Sequence, residues 1–322
     1  MKYVFGPVPS RRLGQSLGID PVPLKTCNWN CIYCQLGRSK PIVEQRADFI
    51  PVQEIIKQFL QALHAHKSGE IDWVTFVGSG ETTLHADLGS MIRQVKTSTD
   101  IPVAVITNGS LFYLPEVRQE LMVADAVMPS LDAGNSSLYR KINRPHPHLD
   151  YDTYIDGLAR FRKQYQGKLW IEVMLIKGLN DTPEALQEIA DKMNYIHPDE
   201  IHLLLPTRPP AEAWIQPSED ENVHLAQLIL GNTAKVFHPI KGSFDLSGSD
   251  SLFHAVIGII TRHPMKESEL LDALKRFSQE EIDAVMTALK ENSEAQVVER
   301  YGERYWSAYP ARYASKSIKE DL

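Results

Sequence analysis

The sequence predicts an α/β protein in which βα units repeat along most of a 322-residue chain. Three observations predict this class. Short apolar, β-branched runs alternate with amphipathic stretches of helical spacing roughly six times from about residue 48 onward. Polar and glycine residues cluster directly after the apolar runs, where parallel βα architectures bind their ligands. The hydrophobic content of 43% and charged content of 23% are typical of a folded domain.

The predicted helices and strands follow one another along residues 16–239. In the stretch 50–66, Ile55, Phe59 and Leu63 lie four residues apart, which predicts a helix with one buried stripe. Further helices are predicted at 86–97, 115–121, 150–163, 183–195 and 219–230. The apolar runs predict strands at 16–20, 73–78, 103–107, 126–131, 170–176, 201–205 and 234–239.

A second, smaller domain is predicted after the βα units. Residues 242–251 are rich in glycine, serine and aspartate and typical of a linker, which predicts domains at 1–241 and 252–322. In the second domain, two β-rich runs joined across residues 301–303 follow helices predicted at 252–262, 266–276 and 278–292. Three helices and a hairpin resemble a winged helix, a small α+β unit.

The charge of the chain is unevenly distributed. A net charge of −7 argues against a surface built mainly to neutralise nucleic-acid phosphates. Residues 1–46, however, carry seven basic residues against two acidic ones. No apolar run approaches the ~20 residues that a membrane span needs, and the N-terminus has no apolar signal segment. We therefore expect a cytoplasmic protein with no membrane segment and a basic region around its cysteines.

All three cysteines, Cys27, Cys31 and Cys34, lie in the segment "KTCNWNCIYCQLG". A disulfide is disfavoured because the count is odd and the thiols are clustered. A structural zinc site would need a fourth ligand, and His64, His66 and His85 are the candidates for it. An iron-sulfur cube fits better, because a tight loop can direct three thiolates at three of its irons. The fourth iron would then be open to a small molecule.

The spacing Cys27-x3-Cys31-x2-Cys34, with Tyr33 directly before the last cysteine, resembles the signature of the radical S-adenosylmethionine superfamily. The resemblance implies a partial (β/α)6, TIM-like barrel whose first strand precedes the cysteine loop. It also implies a 4Fe-4S cluster whose open iron is chelated by S-adenosylmethionine. In that family the reduced cluster cleaves this cofactor to a 5′-deoxyadenosyl radical, which takes hydrogen from a substrate. The implied electron donor is a flavodoxin or ferredoxin.

The same resemblance assigns cofactor binding to residues at the strand ends: Tyr33, Gly78, Ser79, Gly80, Glu81, Asn108, Ser130 and Asp132. In "VGSGETT" the glycines permit close approach of the backbone, and Glu81 offers a charged acceptor to the methionine ammonium. A turn in which Glu81 or Thr82 caps a helix is the alternative. "LLLPTRPP" matches the position where adenine is bound. Glu172, inside a predicted strand, faces either the barrel interior or a covering helix.

Segments such as "FGPVPSRRLGQSLGID" and "LIKGLNDT" resemble the branch of the superfamily that includes the wyosine-forming tRNA enzymes. Those enzymes carry a second cluster on additional cysteines, which this chain lacks. An anionic substrate, RNA or a small metabolite, is predicted to bind Arg11, Arg12 and Arg144, with Arg140, Lys141, His146 and His148 nearby. The alternative is that basic side chains gather around a net-negative cluster.

The C-terminal domain bears on a second class of function, an iron-sulfur-sensing regulator that binds nucleic acid. Helix 278–292 carries four acidic residues against Lys290, which disfavours binding in a DNA groove. Residues 300–319 alternate basic and aromatic side chains, which suits stacking on single strands. Packing of these aromatics between the hairpin and its helices is the favoured alternative. A zinc-stabilised barrel without redox chemistry is the third class.

Overall fold

An eight-stranded sheet forms the larger part of the protein, for which a computed structural model describes residues 2–238, 244, 246 and 251–314. The strands lie in chain order, β1 antiparallel to β2 and every later neighbour parallel. Their bounds are β1 Val4–Ser10, β2 Gly14–Ile19, β3 Trp73–Phe76, β4 Val103–Thr107, β5 Ala126–Pro129, β6 Lys168–Met174, β7 Glu200–Leu204 and β8 Ala234–Val236. The predicted α/β class with a parallel sheet is confirmed.

Seven helices of the described chain alternate with these strands. They are α1 Val52–Ala65, α2 Leu88–Ser98, α3 Pro115–Leu121, α4 Ser136–Ile142, α5 Tyr151–Gln164, α6 Pro183–Ile196 and α7 Asp220–Leu230. α6 illustrates how the sequence specifies them: Thr182 Oγ1 accepts the N–H of Ala185 at 3.3 Å, and Pro183 occupies the first turn. Its buried residues, which include Ile189 and Met193, recur at helical spacing and face the sheet.

The turn between β1 and β2 fills the inside of the sheet's curve. Leu13, only 2% exposed, packs in one cluster with inward-facing residues of β4, β5 and β6, namely Ala104, Ala126, Met128 and Trp170. β1 was not predicted as a strand, because "VFGPVPS" contains a glycine and two prolines and lacks clean alternation. The pairing register indeed shifts between Phe5 and Val8. The short helix α4 was also not predicted.

The C-terminal segment packs around an apolar cluster of its own. Its elements are α8 Leu252–Arg262, β9 Met265–Lys266, α9 Glu267–Leu274, α10 Gln279–Glu291, β10 Ala295–Arg300 and β11 Glu303–Ala308. The strands pair in the order β10-β11-β9, and Trp306 lies in the cluster with Val256 and Leu270. The winged-helix likeness and the domain bounds 1–241, 242–251 and 252–322 stay predictions. Of the predicted linker, residues 242, 243, 245 and 247–250 lie outside the described residues.

Tyr305 and Trp306 of the C-terminal hairpin pack inside the protein, whereas Tyr309, directly after it, is 64% exposed. Tyr305 and Trp306 are each 2% exposed, and buried Arg300 donates to the carbonyl of Ala314 at 2.7 Å. This favours the packing alternative over stacking on nucleic acid. Lys316 and Lys319, which belonged to the predicted basic run, lie outside the described residues.

The C-terminal segment also docks onto the loop that carries the cysteines. The N–H of Arg38 donates to the carbonyl of Arg312 at 2.6 Å, and the hydroxyl of Tyr313 donates to the carbonyl of Gln35 at 2.6 Å. Arg262 Nε bonds Asp20 Oδ2 at 2.7 Å. In the part of the chain that the structure describes, no helix has the length and apolar character to cross a membrane. The cytoplasmic location stays a prediction.

Candidate functional site

The cysteine loop follows the carboxyl end of β2. Cys27, Cys31 and Cys34 are all free and half-buried, and a tight turn bonds the N–H of Cys34 to the carbonyl of Cys31 at 3.1 Å. Three thiolates in one tight loop can each bind a separate iron of a cluster.

Each of the three sulfurs has a nitrogen donor nearby. The backbone N–H of Trp29 lies 3.4 Å from Cys27 Sγ, Asn143 Nδ2 lies 3.8 Å from Cys31 Sγ, and Lys25 Nζ lies 3.2 Å from Cys34 Sγ. Burial raises the pKa of Cys27 to about 12 and that of Cys31 well above its usual value. Buried thiolates therefore need a cation or cluster to neutralise them, and N–H donors to sulfur tune such clusters.

The glycine-rich segment after β3 is pressed against the cysteine loop. A Cβ on Gly80 would lie 1.8 Å from the carbonyl oxygen of Thr26, and one on Gly78 would lie 1.9 Å from Asp20 Oδ1. Two backbone bonds join the segments, from the N–H of Lys25 to the carbonyl of Ser79 at 2.6 Å and from the N–H of Glu81 to the carbonyl of Thr26 at 2.8 Å. The glycines thus permit loop-to-loop contact. Their predicted contact with a cofactor stays a prediction.

Glu81 is 2% exposed and its carboxylate is occupied by protein donors. Oε1 accepts from Thr83 N at 2.9 Å, Thr83 Oγ1 at 2.5 Å and Thr107 Oγ1 at 2.5 Å, and Oε2 accepts from Asn108 N at 2.6 Å. Burial raises its pKa, and these donors oppose the rise. Glu81 caps the short helical turn Thr82–Leu84, as in the alternative in which this residue caps a helix. A ligand ammonium would have to compete with four donors.

Tyr33 and Asp132, both predicted to bind cofactor, are bonded to each other. Tyr33 OH donates to Asp132 Oδ2 at 2.6 Å, Asn143 Nδ2 reaches the same oxygen at 2.7 Å, and the N–H of Met174 donates to Oδ1 at 2.8 Å. Burial raises the pKa of Asp132. Through Asn143 this network reaches Cys31. No sequence pattern pointed to Asn143, because only the fold brings residues 112 positions apart together.

Two further predicted residues lie at strand ends beside the same loop. Asn108 Nδ2 donates to Asn28 Oδ1 at 2.7 Å, and Asn28 in turn donates to Ser110 Oγ at 2.8 Å. Asn28 is 1% exposed and was not predicted, although it lies directly after the first cysteine. Ser130 is half-buried and its carbonyl accepts a bond from Tyr154 OH.

Two of the three predicted substrate arginines are paired with carboxylates. Arg12 forms an ion pair with Glu172, which faces the barrel interior, so the covering-helix alternative for Glu172 is wrong. Arg144 Nη1 bonds Glu212 Oε1 at 2.6 Å, and Arg38 binds the same carboxylate at 2.8 and 2.9 Å. These partners are distant in sequence and gave no local signal. Substrate binding by Arg12 and Arg144 stays a prediction.

Arg11 lies instead near a second guanidinium, that of Arg208, and both residues are half-buried. Arg11 Nη2 bonds Thr207 Oγ1 at 3.1 Å, and Arg208 Nη1 bonds Gln35 Oε1 at 3.2 Å. Burial is the larger cause that lowers the pKa of Arg208 to about 10, and the charge of Arg11 is the next. Burial, and next the charge of Arg208, lowers the pKa of His263 to about 3. Within the described ranges no carboxylate forms a salt bridge with either arginine, and His263 Nδ1 is buried without a partner.

Comparisons with known proteins bear on this geometry. Residues 22–193 match the model of the radical SAM superfamily. The chain belongs to that superfamily. It is 33% identical over 281 residues to the UPF0026 protein of Methanocaldococcus jannaschii, covering 86% of this chain and 87% of that protein.

Two further similarities cover less. A protein named GTPase Obg from Brachyspira hyodysenteriae is 46% identical over 226 residues, 70% of this chain, but this chain spans only a third of it (33%). A radical SAM methyltransferase from Sphaerobacter thermophilus has a similar fold, with a TM-score of 0.54 at 17% identity over 69% of this chain and 65% of that one.

Membership of the superfamily makes the protein a radical SAM enzyme that uses a 4Fe-4S cluster and S-adenosylmethionine. The resemblance stated from the cysteine spacing is confirmed. The residues present fit the cluster, because three half-buried cysteines at one strand end each have a nitrogen donor to sulfur. The regulator alternative gains no support from the comparisons.

Proposed function

We propose that Cys27, Cys31 and Cys34 hold the 4Fe-4S cluster, and that the enzyme acts on a small anionic substrate. When bound, the cluster supplies the electron that cleaves S-adenosylmethionine to the hydrogen-abstracting 5′-deoxyadenosyl radical. The observation that carries the proposal is the set of three half-buried sulfurs, each with its own donor, in a loop closed by the glycine-rich segment. A flavodoxin or ferredoxin is the proposed electron donor.

The protein groups around this loop have defined tasks in the proposal. Lys25 and Asn143 donate to the cysteine sulfurs and stabilise negative charge on them. Tyr33 is fixed by Asp132, and its ring therefore has one orientation at the loop's last turn. Asn108, Ser130 and the segment from 78 to 81 are proposed to contact the cofactor from the neighbouring strand ends.

The anionic substrate class is supported by Arg11 and Arg208. The guanidiniums of Arg11 and Arg208 form no salt bridge with a described carboxylate, and the charge of Glu269 raises the pKa of each by less than burial lowers it. A phosphate or carboxylate would neutralise this pair. Arg208 follows β7 at the carboxyl edge of the sheet and bonds Gln35, the residue after Cys34. The C-terminal segment covers this place, since Arg262 bonds Asp20 and Gln35. That enclosure favours a small molecule over RNA.

Anaerobic reconstitution with iron and sulfide tests the chemistry. We expect the visible absorption spectrum typical of a 4Fe-4S cluster. On addition of dithionite and S-adenosylmethionine, we expect 5′-deoxyadenosine to form. Cys31→Ala should abolish formation of 5′-deoxyadenosine, and normal cleavage by that variant would contradict the cluster assignment.

Comparison of small molecules and RNA nucleosides between cells with and without the protein tests the substrate class. We expect an anionic metabolite to accumulate when the protein is absent. Arg208→Gln should raise KM for that metabolite while uncoupled cofactor cleavage persists. A changed RNA nucleoside with no changed metabolite would show that the substrate is RNA instead.

A further inference from the structure

Glu44, His146 and His148 gather at the surface beside the cysteine loop. His148 Nδ1 lies 2.6 Å from Glu44 Oε1, and His146 Nε2 lies 3.9 Å from Glu44 Oε2. One ligand atom from each residue falls within 4.8 Å of the other two. None of the three is a proposed cluster ligand or one of the arginines proposed to bind substrate, although the sequence placed His146 and His148 near those arginines.

The backbone holds the two histidines in a restricted conformation. Pro145 and Pro147 flank His146. The ring of each proline fixes its own φ angle, and Pro147 favours an extended conformation of His146 before it. The segment is anchored because the N–H of His146 donates to Asn28 O at 2.8 Å and Trp29 bridges to Pro145. A presentation of this kind lowers the entropy lost when a ligand binds.

Glu44 lies in a different segment, which is hydrogen-bonded to the same cysteine loop. The N–H of Val43 donates to the carbonyl of Cys27 at 2.9 Å. The three side chains are 44% (Glu44), 20% (His146) and 72% (His148) exposed, so an ion can reach them from solvent. Segments 43–44 and 145–148 therefore both lie against residues 27–29 of the cysteine loop.

We propose that Glu44, His146 and His148 bind a divalent transition metal of the zinc type, separate from the iron-sulfur cluster. Two imidazoles and one carboxylate are a common ligand set for such ions. Ligand atoms on one tetrahedral zinc lie about 3.3 Å apart, because each bond is about 2.0–2.1 Å long. The observed 2.6 and 3.9 Å lie on either side of that value, so small side-chain rotations complete the site.

Metal binding selects one tautomer of His146. Its Nδ1 lies 3.4 Å from the N–H of His148, a long contact that is lost when Nε2 binds the ion. The shorter bond between His148 and Glu44 is replaced by two bonds to the metal. Three protein ligands leave the fourth position for water or for an atom of a partner. Bound metal would tie two segments together around the cysteine loop.

Zinc titration of untagged, cluster-loaded protein under anaerobic conditions tests the proposal, because iron then occupies the cysteines. We expect one zinc per chain to remain after gel filtration, with nitrogen and oxygen but no sulfur in its X-ray absorption shell. Glu44→Gln and His148→Gln should each weaken zinc binding by at least roughly tenfold at unchanged iron content. His224→Gln, which removes an exposed histidine on α7, is the matched control and should bind normally.

Zinc retention that is equal in both variants and the wild type would overturn the proposal. Failure of the wild type to retain zinc would overturn it too, as would a sulfur-containing shell, which would place the zinc at the cysteines. Because the readout is metal content and not turnover, these outcomes are independent of whether the radical chemistry proposed above is correct.

Discussion

Glu172→Gln probes the ion pair that the β1–β2 turn places inside the barrel. The side chains of Arg12 and Glu172 are only 14% and 12% exposed. Burial, and then the nearby Arg11, already lower the pKa of Arg12 to about 9, so its charge is costly even with a partner. Glutamine keeps the shape of the side chain but removes the neutralising charge. Breaking a buried pair in this way costs about 3–5 kcal/mol, and the residual exposure favours the lower end, about 3 kcal/mol.

Urea unfolding of the cluster-loaded protein, followed by circular dichroism, measures this loss in the free energy of unfolding. Lys177→Gln is the control, because it breaks an ion pair with Glu219 whose side chains are 51% and 64% exposed. The control should lose less than about 1 kcal/mol. Replacing Arg12 with methionine and Glu172 with leucine together should restore much of the loss. If Glu172→Gln lost no more than the control, the pair would be effectively solvated and the reasoning wrong.

Three further changes test the loop packing, the buried histidine of β7 and the tuning of the cysteines. Gly80→Ala should lower iron content after reconstitution, because the new Cβ would collide with a carbonyl of the cysteine loop. Gly258→Ala is the control and should not lower it, because a Cβ there has no atom within 4 Å. Equal iron content in the two variants would contradict the predicted collision. Burial lowers the pKa of His202 to about 4, so the folded state binds fewer protons than the unfolded state between about pH 6.5 and 4. Stability should therefore fall by about 2 kcal/mol from pH 7 to pH 5, and His202→Gln should flatten that part of the urea-unfolding profile; an unchanged profile would refute the assignment. Lys25→Met removes a cation 3.2 Å from Cys34 Sγ and should make the cluster's reduction potential more negative in an EPR-monitored titration, where an unchanged potential would count against the contact.

Periodicity predicted the interior elements of the fold well. Strand 103–107 and helices 115–121 and 252–262 have the bounds that the sequence indicated, because their apolar residues recur at a regular period between clear breakers. β1 was not predicted because a glycine and two prolines are unusual in a strand, and this edge strand pairs with β2 alone among the described strands. The two-residue strand β9 is too short to have a period.

The candidate site was predictable where residue type and spacing carry the chemistry. The cysteine spacing indicated the superfamily, and the polar residues after each strand indicated the active edge. Contacts between distant residues were not predictable, as with Asn143 and Cys31 or Arg12 and Glu172. The sequence shows which side chains carry charge, but the pairing of those charges depends on which strands and loops become neighbours.

The contacts of Arg312 and Tyr313 with the cysteine loop have a consequence for biogenesis. Arg312 and Tyr313, which bond the backbone of Arg38 and Gln35, are synthesised after the cysteine loop, with Tyr313 278 residues later than Gln35. A nascent chain therefore holds its cysteines in an incompletely braced loop until synthesis has passed residue 313. The native geometry of the metal-binding loop therefore depends on contacts made by residues up to 278 positions further along the chain, and a chain cut before Arg312 would lack them.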